Sequence, residues 1–275
     1  MAKLVLDQDV GDICQQICEP LRVVPLDDGQ VLVADMTYQY RVLRVDQDGQ
    51  QQGATYTSGS HFPVSALRVH QDSILLMQLN GAILRRQLSD LSKAIQTYKV
   101  KADYHLAGGD VIDEDTLAFT VSNEGNVYVY NMKTHKQNVV LSGLNEPYSL
   151  AYAQTKEGPV FVLTERGTCQ VHVYDQAWKR LYSMGGQGSG DGQLDDPRCA
   201  VLTDDGSSIL VADYKNRRVS EFTKQGEFVC HLLTDEDGLG YPLYVACRDQ
   251  YVWVICSQTT AVVTEYSLKR YIYGK

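Results

Sequence analysis

Two carboxylates invite a chemical reading first. Asp35 and Asp213 each close a Val-Ala-Asp run, and an arginine follows each one, Arg41 and Arg218. A carboxylate beside a guanidinium can exchange protons, but the same pair placed across a tight turn is an ion pair or a turn cap. The second reading is preferred, because no nucleophile or further acid recurs with either aspartate. The glycine-rich run Gly185–Gly192 resembles a phosphate cradle in composition only: no helix pattern and no Lys-Ser/Thr pair follows it. It reads as a connection. Six histidines (His61, His70, His105, His135, His172, His231) show no H-x-H or H-E-x-x-H spacing, and Cys14 and Cys18 stand without partners at zinc spacing. The acidic groups Asp27-Asp28, Asp113-Glu114-Asp115 and Asp204-Asp205 sit where turns are expected. No G-x-S-x-G elbow occurs. No catalytic residue, metal site or cofactor is therefore expected.

The elements that would position these residues repeat. Val31-Leu-Val-Ala-Asp35, Ile74-Leu-Leu-Met-Gln78, Leu117-Ala-Phe-Thr-Val121, Val160-Phe-Val-Leu-Thr164, Ile209-Leu-Val-Ala-Asp213 and Val252-Trp-Val-Ile-Cys256 begin 43, 43, 43, 49 and 43 residues apart. That period belongs to radial or stacked repeats. Pro20, Pro63, Pro147, Pro197 and Pro242 stand in register ahead of five of the runs, with Leu106 in the remaining place. Proline suits the first residue of a strand, where its missing N–H costs no ladder bond. Asn80-Gly81, Glu124-Gly125, Arg166-Gly167 and Lys215-Asn216 then mark turns into third strands. The pattern predicts an all-β fold over residues 1–275: one six-bladed β-propeller of four-stranded antiparallel blades. The last blade lacks an outer strand before the chain ends, and Lys3-Leu-Val-Leu6 supplies a spare one. The N-terminal strand is therefore expected to close the ring, which removes open edges.

The formal charge of −9 opposes general attraction to nucleic acid or anionic lipid. No run of 18 apolar residues is present, so no membrane partner is expected. The first residues lack a secretory pattern and the seven cysteines lack a disulfide framework, which together predict a cytoplasmic, reduced protein.

In an up-and-down blade, the loops before the first strand and between the second and third emerge on one face. That face is rich in tyrosine and arginine, the types that interfaces favour. Arg22, Tyr38, Tyr40, Tyr148, Arg166, Arg198, Tyr214, Lys215, Arg217 and Tyr244 are the candidate partner-binding residues.

The fifth repeat carries the most specific run: Gly188-Ser-Gly-Asp-Gly-Gln-Leu-Asp-Asp-Pro197, then Val211-Ala-Asp213, Asn216, Arg218-Val219, Phe222 and Gly226. It closely resembles the NHL repeat, whose pattern is a G-x-G-x-G-Q-[FL] loop, a proline, V-A-D, N-x-R-V and an aromatic before a glycine turn. The first repeat keeps Val33-Ala34-Asp35 and Arg41-Val42; the others keep only the hydrophobic rhythm. The Gly-His and Trp-Asp pairs of WD40 repeats are absent. The resemblance implies the substrate-recognition propeller of a TRIM-type ubiquitin ligase, with RING, B-box and coiled coil upstream in the parent chain and a protein or peptide as ligand. RNA binding, known among NHL domains, is the first alternative, weakened by the acidic balance. A metal-dependent propeller hydrolase or lyase is the second; Arg22, Ser65, Ser149, Cys199 and Tyr244 at the inner-strand starts make a poor metal cage.

Overall fold

The computed structural model describes residues 4–9, 20–35, 41–46, 50–56, 64–101, 106–259 and 264–273. They form six four-stranded antiparallel sheets. Blade 1 runs Pro20–Pro25, Val31–Asp35, Arg41–Val45, Gln51–Tyr56, and blade 2 Val64–His70, Ser73–Gln78, Ala82–Gln87, Ala94–Lys99. Blade 3 is Leu106–Val111, Thr116–Val121, Asn126–Asn131, Lys136–Leu141, and blade 4 Pro147–Thr155, Gly158–Glu165, Gln170–Asp175, Arg180–Gly185. Blade 5 is Pro197–Leu202, Ser208–Asp213, Arg218–Thr223, Phe228–Leu233. Blade 6 takes Tyr241–Arg248, Tyr251–Thr259 and Thr264–Tyr273 from the C-terminal end, and its outer strand, Leu4–Asp9, from the N-terminal end. Leu4 pairs with Tyr273 and Asp9 with Lys269, so the closing strand expected from the sequence is in place, a few residues longer than the apolar run suggested.

The inner strands touch in sequence order, and blade 6 returns to blade 1, so the ring is complete. Burial follows position. The second strands of blades 1, 2 and 5 are buried at every residue, while the outer strand Ala94–Lys99 is exposed at all but one. Apolar clusters bridge adjacent blades: Val162 and Val173 of blade 4 pack with Ile209 and Phe222 of blade 5, and Leu75 and Met77 of blade 2 with Leu117 and Phe119 of blade 3. Each blade thus buries its faces only by stacking on its neighbours, as repeat architectures require.

Every inner strand carries a register shift at its start: Pro20/Arg22, Val64/Ala66, Leu106/Gly108, Pro147/Leu150, Pro197/Cys199 and Pro242/Tyr244. A bulge of this kind re-aims the side chains beside it. Close approach accompanies it between blades 3 and 4, where a Cβ on Gly108 would lie 2.5 Å from the Tyr148 carbonyl oxygen. Thr120 Oγ1 accepts the Gly108 N–H at 2.9 Å and donates to the Tyr148 carbonyl at 2.8 Å, which ties the two blades at their inner ends. Among the described residues, no helix is long and apolar enough to cross a membrane.

Removing Leu4–Asp9 leaves the Thr264–Tyr273 strand with an open edge and the ring unfastened. Its deletion should lower the melting temperature by more than about 5 °C. A shift within about 1 °C in differential scanning calorimetry would contradict the closure.

Candidate binding site at the mouth of the channel

Buried carboxylates at the ends of second strands build the face that carries the candidate residues. Asp213, fully buried, pairs across the turn with Arg218 at 2.9 Å and also accepts the Asn216 side-chain amide at 2.8 Å and the Asp195 N–H at 2.7 Å. Burial pushes its carboxyl up, against the pull of these donors. Asp35 meets Arg41 at 3.0 Å in the same way. The ion-pair reading of both aspartates holds.

Arg218 extends the pair into the glycine-rich loop. Its Nη1 donates to the Ser189 carbonyl at 2.8 Å, and its Nη2 donates to Gly190 at 3.1 Å and Gln193 at 2.7 Å. Asn216 adds a bond to the Gly188 carbonyl at 2.8 Å. The motif residues of the fifth repeat are therefore one device: two side chains from a turn supply donors to loop carbonyls that have no strand partner.

In blade 4 the equivalent position belongs to Glu165, which pairs with Pro147 as Asp213 pairs with Pro197. Its Oε1 accepts the Asn145 N–H at 2.5 Å, matching the Asp195 bond. His172, not Arg, answers it: Nε2 lies 2.6 Å from Glu165 Oε2, and Nδ1 lies 2.7 Å from Ser183 Oγ. Burial holds His172 below the ordinary histidine range despite Glu165, so the neutral ring donates through Nε2 and accepts the serine proton at Nδ1. This Ser–His–Glu chain has the connectivity of an acyl-transfer triad. Blade 5 repeats the rung with the residues exchanged, Ser220 Oγ lying 3.1 Å from His231 Nδ1, and there Arg218 Nη1 donates to His231 Nε2 at 3.0 Å. The recurrence makes it a polar rung between third and outer strands. Sequence spacing gave no sign of it, because its members come from different strands.

The two lead-in loops held by Glu165 and Asp213 set the mouth of the central channel. Asp196, buried, stands between Arg166 and Arg198: it accepts from Arg166 Nε and Nη2, the latter at 3.3 Å, and from Arg198 Nε and Nη2 at 3.3 and 3.1 Å. Arg198 lies over the Tyr214 ring at 4.0 Å and the Tyr148 ring at 5.8 Å; Arg166 lies 5.0 Å from the Tyr148 centroid. Arg22 reaches from blade 1 over the channel, donating to the Ala107 carbonyl of blade 3 at 3.3 Å, and its charge acts on the Tyr148 phenol of blade 4. It also covers Tyr244 at 5.2 Å. Burial alone raises the Tyr148 phenol, but Arg22, Arg198 and Arg166 outweigh it and hold the phenol below its ordinary value. Beneath this lattice the inner strands line an open cavity of about 270 Å³ with Val23, Ala151, Tyr244 and Ala246, and with Asp110 and Arg248 as its charged groups.

Of the sequence-derived candidates, the structure brings together Arg22, Tyr148, Arg166, Arg198, Tyr214 and Tyr244. Tyr244 is only 4% exposed, so it supports Arg22 from below and presents no surface to a macromolecule. Lys215 and Arg217 lie further out, paired with Asp195 at 3.3 Å and with Asp235 respectively, Arg217 also over Tyr241. Tyr38 and Tyr40 fall outside the described residues. Asp196, which the sequence shows only as part of the run before Pro197, organises the cluster. Among the described residues, no group of three His, Cys, Asp or Glu side chains is placed to hold a metal ion.

This arrangement belongs to a six-bladed β-propeller with an arginine–tyrosine mouth. No known family profile matches the sequence, and no curated protein matches it. Solved structures do. A streptogramin B lyase structure superposes with a TM-score of 0.66 at 11% identity, covering 100% of this chain and 97% of that one. A catalytically inactive variant of virginiamycin B lyase from Staphylococcus aureus, with quinupristin, gives 0.65 at 13% identity over 97% and 88%. A protein of unknown function from Bacteroides caccae gives 0.63 at 11% over 82% and 85%. At these identities the likeness is one of fold.

Arg218→Ala should cost roughly 3 to 5 kcal/mol in urea denaturation, because it strands a buried carboxylate and several loop carbonyls. Arg217→Ala, at an exposed pair, should cost less than about 1 kcal/mol. Equal effects would contradict the assignment. Asp196 predicts a pH dependence. Burial raises its carboxyl, but Arg166 and Arg198 hold it below the ordinary aspartate value, so its contribution is present above the unfolded pKa and disappears as pH falls through the folded one. The stability gap between the native chain and Asp196→Asn should therefore be wide at pH 7 and close below about pH 4; a gap independent of pH would contradict it.

Proposed function

We propose that this propeller is a non-catalytic interaction module that holds a protein or peptide against the face formed by Tyr148, Arg166, Arg198, Tyr214, Lys215 and Arg217, with Arg22 and Tyr244 as the supporting layer. The observation that carries this reading is the stacked lattice itself, Arg198 lying 4.0 Å from the Tyr214 ring and sharing Asp196 with Arg166. Fixed guanidiniums on aromatic faces offer directional donors and contact area at little further entropy cost, which is how interface anchors work. By the NHL resemblance of blade 5, the parent is a TRIM-type ubiquitin ligase and the ligand its target.

RNA is the rival ligand, favoured by the same stacking of arginine on tyrosine. Opposing it are the charge of −9 and the acids Asp195, Asp196 and Asp235 on the same face. A lyase reading draws on the fold likeness to two solved lyases and on no residue among those described.

A photocrosslinking amino acid at Lys215 should yield a protein adduct in cells that vanishes in a Tyr214→Ala/Arg217→Glu background of unchanged melting temperature. An RNA adduct in its place, or a protein adduct that survives the double substitution, would overturn the reading.

A further inference from the structure

The donors on Arg166 and Arg198 are only partly used. Each guanidinium spends Nε and Nη2 on Asp196, and neither Nη1 donates to a protein acceptor among the described residues. Both side chains are about a quarter exposed, at 27% and 22%, while Asp196 between them is at 6%. The rings of Tyr148 and Tyr214 hold the planes from the side. Two guanidiniums are thus locked in orientation with one N–H₂ group apiece turned from the acid that fixes them.

Asp196 is held at a cost. Its φ is +62°, the left-handed region, and it precedes Pro197, which disfavours compact conformations in the residue before it. Glu146 repeats this conformation ahead of Pro147 in blade 4, φ +54°, so the left-handed residue belongs to the lead-in turn of both blades. Blade 5 differs in where the carboxylate goes: Glu146 is exposed, whereas Asp196 is buried between two guanidiniums.

We propose that Arg166 and Arg198 form a seat for one carboxylate of an acidic peptide, received on their Nη1 groups above Tyr148, with Asp196 as the positioning residue. The proposal rests on the face being a protein-binding surface and narrows the partner to a segment that offers a glutamate, an aspartate or a C-terminal carboxylate. A carboxylate matches paired guanidinium donors in plane. Phosphate would meet the same donors, and the test separates the two.

Tyr148 is the built-in reporter. An anion seated over it makes its phenolate harder to form, so binding must raise its titration midpoint. The absorbance difference between the native chain and Tyr148→Phe at 295 nm isolates this tyrosine, and titration is run with tri-glutamate, with inorganic phosphate and without either, at low salt. Tri-glutamate should raise the Tyr148 midpoint by about one unit, a tenfold effect, and should do nothing in Arg166→Gln/Arg198→Gln measured from its own baseline. Asp196→Asn, though it adds positive charge, should bind tri-glutamate at least about tenfold more weakly, whereas a purely electrostatic attraction would bind it more tightly. No shift with tri-glutamate, a shift that survives the double substitution, tighter binding by Asp196→Asn, or a preference for phosphate above tenfold would each overturn the proposal. If the seat fails while the Lys215 crosslink to a protein persists, the surface reading stands alone; a seat that works without any protein adduct leaves a small-anion site and removes that surface.

Discussion

Two buried carboxylates, Glu165 and Asp213, each reach back to a backbone N–H in the loop that leads into their own blade's inner strand, Asn145 at 2.5 Å and Asp195 at 2.7 Å. A loop would otherwise leave those donors to water. Fixing them fixes the chain direction at Glu146-Pro147 and Asp196-Pro197, and the turns beyond the second strands close on the same loops, Arg166 N–H to the Glu146 carbonyl and Tyr214 N–H to that of Asp196. The mouth residues are therefore set by acids that never face solvent. Asp213 is answered by Arg218 and Glu165 by neutral His172, so one geometric task is performed with a full ion pair in one blade and a neutral donor in the other.

The bulge at each inner-strand start converts this anchoring into a surface. Arg198 lies in the irregular stretch of blade 5 and Tyr148 in that of blade 4, while Arg22 and Tyr244 are the first paired residues after theirs. Side chains at these points turn toward the channel axis and meet partners from other blades. Arg22 alone joins blade 1 to blades 3, 4 and 6. The ring geometry thus creates a cluster that no single blade contains, and the propeller contributes to recognition by bringing those residues to one point.

Architecture was legible because it is periodic. The spacing of the apolar runs, the prolines ahead of them and the orphaned outer strand of blade 6 specified six blades and their closure. The Asp213–Arg218 pair was legible because both members lie within one turn. Glu165 was not: the 43-residue spacing puts Thr164 at the matching place, and the pairing of Pro147 with Glu165 moves the position by one residue, which in a strand exchanges the two faces. His172 and Ser183 were hidden for a related reason, since a cross-strand rung has no signature in local spacing. The sequence places Tyr244 on the rim, yet Arg22 of the adjoining blade 1 covers it where the ring closes. A contact between the first blade and the last leaves no mark in local spacing.

Native-state hydrogen exchange at single amides tests the anchoring most directly. Asn145 and Asp195 lie in loops, outside every strand, and their N–H groups should nonetheless exchange as slowly as those of Leu163 and Val211 in the adjoining buried strands. Protection factors near those of exposed turn amides such as Asp205 would contradict the account, because the mouth would then have no fixed support.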